Sequence, residues 1–137
     1  MRNPGLTIVL IVLALVPIAV WGYTAYGTAL SYHMAEQGAR KMGQAVAILI
    51  LILAGLTPGF VGGILMAVGA FLLQRKPLGA RITATIGLVL IVATVAVFMF
   101  LEVAVAGYEL FVAAAAYMLL HVGVIVWVWR SWRRTLV

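Results

Sequence analysis

The sequence predicts an all-α integral membrane protein, a bundle of four transmembrane helices threaded up-down-up-down with both termini in the cytoplasm. Three observations carry this. Of the 137 residues, 66% are hydrophobic and 9% charged, with a mean hydropathy of +1.23, whereas a soluble domain carries about 25% charged residues. Charges are missing from four long stretches, Gly5 to Met34, Gln44 to Gln74, Ile82 to Leu101 and Leu110 to Trp129, and each can cover the roughly 30 Å of hydrocarbon that needs about 20 helical residues. The basic residues are also unevenly shared. Arg2, Arg75, Lys76, Arg81, Arg130, Arg133 and Arg134 fall on the side of the termini and the middle loop; the opposite side receives Arg40 and Lys41 with all three acids, Glu36, Glu102 and Glu109. An excess of Lys and Arg marks the cytoplasmic face.

The apolar runs lack period-2 alternation and are far longer than the roughly 9–11 residues of a barrel strand, so helices satisfy the backbone in lipid. The chain reads as one domain, residues 1–137, with helices at about 5–30, 44–73, 80–103 and 108–130. The first of these starts with a basic group and an apolar centre, as a signal peptide does. Its apolar run is long, however, and Trp21, Tyr23 and Tyr26 follow it as an interfacial belt with no A-x-A site, so it reads as a retained span. Pro17 removes one of its hydrogen bonds. The polar stretch "GTALSYHMAEQGARKMG" that follows has the spacing of a short interfacial helix or else forms a solvated loop.

Helix 2 is longer than the hydrocarbon is thick and carries Pro58 near its centre. Around it, "GLTPGFVGG" sets Gly55, Gly59 and Gly63 at i, i+4 and i+8, a doubled GxxxG row that lets another backbone approach closely. Two readings follow: close packing inside the bundle, or an unwound hinge at Thr57-Pro58-Gly59. Pro77 and Gly79 break "QRKPLGAR" into a tight turn, and helix 3 has Thr83, Thr85 and Thr94 able to bond their own preceding turn. The short connection to helix 4 makes a hairpin and brings Glu102 and Glu109 together at the outer interface, where two carboxylates bind a cation, pass protons or are simply hydrated.

Helix 4 poses the main chemical question, "YMLLHVGVIVWVWRSWRR". His121 falls deep in the hydrocarbon, where an ionisable group is a candidate functional site, and Tyr117 lies one turn away on the same face. Either the imidazole is a neutral group bonded to Tyr117, a backbone carbonyl or a helix 3 threonine, or it holds a haem or pigment or carries protons. A bonded histidine predicts that His121→Gln is nearly silent and that His121→Leu costs stability. His33 belongs to the outer interface, too far in depth to complete a bis-histidine haem within one chain. Arg75, Lys76, Arg81, Arg130, Arg133 and Arg134, with Trp127, Trp129 and Trp132, read as inner-face lipid anchors.

The chain has no cysteine and no histidine–carboxylate cluster with metal spacing, phosphate loop or serine beside a base, so catalysis has little support. The net charge of +6 belongs to a membrane face, not to nucleic-acid binding. In size and helix number the chain resembles small multidrug exporters, but those carry a glutamate in the first helix, which here has no charge. "LTPGFVGGIL" is a faint echo of the small subunits of tripartite carboxylate transporters. The expected function is a non-catalytic accessory or structural subunit of a larger membrane complex, of respiratory or photosynthetic type, in a bacterial cytoplasmic membrane, with lipids and other transmembrane subunits, or copies of itself, as partners. The alternatives are a homo-oligomeric transporter or channel with its path near Pro58 and His121, and a single-histidine haem or pigment binder.

Overall fold

The computed structural model describes the backbone of residues 4–36, 42–105 and 111–135, and the side chains of residues 4–33, 46–101 and 111–134. The described chain forms four helices: α1 (Pro4–Glu36), α2 (Met42–Leu72), α3 (Pro77–Val105) and α4 (Phe111–Thr135). All four are long and apolar enough to cross a membrane. Helix α1 continues past residue 30 to Glu36, so residues 27–36 of the polar stretch extend the first span and do not form a separate interfacial helix. At 33 residues and about 1.5 Å per residue, α1 exceeds the hydrocarbon thickness and must tilt or project from it.

The turn from α2 to α3 follows from its residues. Leu72 O accepts hydrogen bonds from the amides of both Arg75 and Lys76, and Lys76 O accepts from Ala80 N to open α3. Pro77 stands at the first helical position, where a missing N–H removes only a donor that would have no helical partner.

The contacts of α2 with α1 and with α3 pair residues in opposite numerical order. Gly63 of α2 faces Ala14, Pro17 and Ile18 of α1, and Trp21 stacks on Phe60 with centroids 4.4 Å apart and donates from Nε1 to Thr57 Oγ1 at 3.4 Å. Along the other flank of α2, Gly55 faces Phe98, Gly59 faces Thr94, Gly62 faces Gly87 and Gly69 faces Ala80 and Ala84 of α3. In each pairing the number falls on one helix as it rises on the other. Helix α2 thus sits between α1 and α3, and α4 packs on α3.

The core is lopsided. Leu6, Leu10, Leu13 and Ala14 of α1, Met66 and Ala70 of α2, Ala84, Leu88 and Ile91 of α3, and Val124 and Val128 of α4 form one cluster. These lie in the half that holds the start of α1, the α2–α3 turn and the end of α4. Towards the other end, buried side chains are sparse, and between Phe111 and Leu120 of α4 none is buried.

Candidate functional site

Helix α4 places His121 on the same side as Val124 and Val128, at i, i+3 and i+7, and all three are buried. The imidazole is fully enclosed, at 0% exposure. Its Nδ1 lies 2.8 Å from Tyr117 O. A carbonyl only accepts, so Nδ1 carries the proton and donates; Nε2 then presents a lone pair. That atom is buried without a hydrogen-bond partner among the described residues. The Tyr117 ring packs against the imidazole at 4.3 Å between centroids, tilted by 53°. Of the partners the sequence allows, the structure selects a backbone carbonyl. Thr94 on α3 donates to its own Leu90 O instead, as Thr83 does to Gly79 O and Thr85 to Arg81 O.

An unprotonated imidazole nitrogen is what an axial metal ligand requires. Here the imidazole is fully enclosed, so a planar cofactor reaches Nε2 only if the side chains around it move. Among the described residues no group of three His, Cys, Asp or Glu side chains is placed to hold a metal ion. Glu109 lies outside the described residues and the side chain of Glu102 likewise, so the carboxylate pair receives no structural account. His33 is exposed on α1.

The second polar constellation was not legible in the sequence. Arg81, read there with the lipid anchors, is 6% exposed. Its Nε donates to Val128 O at 3.2 Å, one terminal nitrogen donates to Pro77 O at 3.0 Å, and the other donates to Ser131 Oγ at 3.5 Å. The Trp132 ring lies under the guanidinium, 4.8 Å from its carbon, which adds a cation–π contact. One turn along, Trp129 Nε1 donates to Thr85 Oγ1 at 3.0 Å. Arg81 and Thr85 thus clasp the base of α3 to the end of α4. Arg75, Lys76, Arg130, Arg133 and Arg134 are exposed, as are Trp127 and Trp129; Trp132 is half-buried.

Pro58 lies on the exposed side of α2, which stays helical through Thr57, Pro58 and Gly59, so the unwound hinge is not formed. Its neighbour Gly59 faces α3 and Gly63 faces α1; the row therefore does not serve a single partner. Pro58 is thus exposed on α2, whereas His121 is enclosed on α4.

These features define a class, a polytopic helical membrane protein with one buried imidazole and an arginine clasp. No protein-family model matches the chain, and neither curated proteins nor solved structures show a match.

Proposed function

We propose that the chain is a non-catalytic accessory subunit of a larger membrane assembly of the respiratory or photosynthetic type. In this reading it is threaded up-down-up-down through the bacterial cytoplasmic membrane, with both termini inside. The observation that carries the reading is the outer face of α4. Ala113, Ala116, Leu120, Gly123 and Trp127 recur at alternating steps of three and four residues and are all exposed, and a Cβ added at Gly123 would meet nothing within 4 Å. Three of the five, Ala113, Ala116 and Gly123, are small, and small residues on one face let a partner helix approach closely in a membrane, with the larger ones packing beside them.

The test is the mass of the protein solubilised from its own membranes in a mild detergent. Co-migration with unlike transmembrane subunits is the expected result. A homo-oligomer of this 14.7 kDa chain that moves a solute in vesicles would replace the reading with the transporter. The lone pair on His121 Nε2 favours a second reading, a single-histidine cofactor binder, and a visible absorption band lost in His121→Leu would establish it.

A further inference from the structure

We propose that the groove at the basic end of α4 binds an anionic phospholipid, its phosphate held by Arg130, Arg133 and Arg134 and the roots of its acyl chains lying on Ile125, Val126 and Trp129. The groove has a volume of about 900 Å³ and is lined by these six residues. They form two adjacent rows on the helix, Ile125–Trp129–Arg133 and Val126–Arg130–Arg134, each stepping by four residues. Each row passes from apolar to cationic over about 12 Å of helical rise, the order in which a phospholipid passes from acyl chain to phosphate. Trp129 is a fixed wall, because its indole is bonded to Thr85.

Charge supplies the second argument. The three carboxylates of the chain are Glu36 and Glu102, at the far ends of α1 and α3, and Glu109, in the connection before α4. None of these three side chains belongs to this end, so the three arginines leave it with a net positive charge that suits an anionic ligand. Arg81 is already engaged with α4. A guanidinium pairs with phosphate oxygens through two parallel bonds, and basic pockets beside membrane spans suit lipid headgroups. The inference requires only that the chain spans a membrane; it stands whether or not the chain is an accessory subunit.

A diffuse basic field would treat Arg75 and Lys76 as equals of the α4 arginines, whereas a built site would not. The full chain, reconstituted in phosphatidylcholine vesicles, reports through tryptophan quenching by brominated phosphatidylglycerol against brominated phosphatidylcholine. The wild type is expected to prefer the anionic lipid by about fivefold. R75Q/K76Q keeps that preference, while R130Q/R134Q, with the same charge removed, loses most of it. Val126→Phe fills the groove with every charge in place and is expected to lose it too. Circular dichroism checks that each variant is helical. If the arginine pair fails to insert, Val126→Phe decides alone, with loss supporting the site and retention overturning it. Equal losses in the two charge pairs, or no anionic preference in the wild type, would also overturn the proposal.

Discussion

At His121 the cost and the partner are unusually separable. Tyr117 O, which accepts from the imidazole, also accepts the helical amide of residue 121, so removing the ring strands no partner. This reverses the expectation drawn from the sequence. A buried polar atom without a partner costs about 1–3 kcal/mol, so His121→Leu is expected to match or exceed the wild-type midpoint of thermal unfolding in detergent. His121→Gln is expected to fall below it, since an amide brings an extra donor into the same sealed place. A large loss in His121→Leu would mean that Nε2 has a partner. If instead the leucine variant is stabler yet inactive, the imidazole is kept for its chemistry. At Arg81, hydrogen bonds from a charged donor contribute about 1.5–3 kcal/mol. Arg81→Gln should therefore lower the unfolding midpoint, and Arg81→Lys should restore little because an ammonium lacks the planar fork.

The elements show why some of this was legible and some was not. Long uncharged runs and the Pro77 break mark four helices in any chain of this kind, because hydrocarbon leaves the backbone no other way to satisfy itself. Glycine spacing is a weaker guide. A step of four residues turns an α-helix by about 40° beyond a full circle, so the row from Gly55 to Gly63 rotates off α3 and onto α1. A step of seven returns to within about 20°, which is why Gly62 faces α3 with Gly55. The closest approach is there: a Cβ on Gly62 would lie 2.6 Å from Gly87 O. Gly62→Ala is accordingly expected to force α2 and α3 apart and lower the unfolding midpoint more than Gly59→Ala, whose Cβ would meet Thr94 at 3.3 Å. Gly123→Leu should leave the isolated chain intact and abolish assembly with a partner. Unfolding scans and native mass together check both. The Arg81 clasp escaped the sequence for a different reason: a cation beside a membrane span looks the same whether it meets headgroups or a carbonyl 47 residues away.

For the whole molecule the uneven charge is the quantity that sets orientation. With seven of the nine basic residues assigned to one side, a cysteine added after Val137 is expected to react with an impermeant maleimide only after the membrane is opened from the cytoplasmic face. A cysteine at Gln37 should react from outside. The chain has no native cysteine, so the labelling has no background, and the reverse pattern would overturn the threading. The core and the clasp share the basic end, so buried apolar packing and charge are concentrated in the same half, while the other half is joined by contacts such as Trp21 on Phe60 and Gly55 on Phe98.

The dependence of Arg81 on α4 has a meaning in time as well as in space. Helix α3 leaves the ribosome before Val128, Ser131 and Trp132 exist, and until they arrive Pro77 O, on its own turn, is the one of these hydrogen-bond partners already made. With the basic end inside, as proposed above, α3 is in that interval expected to slide towards the cytoplasm, where water solvates the cation, shortening the stretch left in lipid. The arrival of α4 ends the sliding and sets the depth of the third helix. A chain stopped after Val105 is therefore expected to hold α3 shallower than the full protein does, by about one helical turn, as read from the minimal distance at which a glycosylation acceptor placed beyond its outer end is modified. Equal distances in the two chains would show that α3 finds its depth unaided.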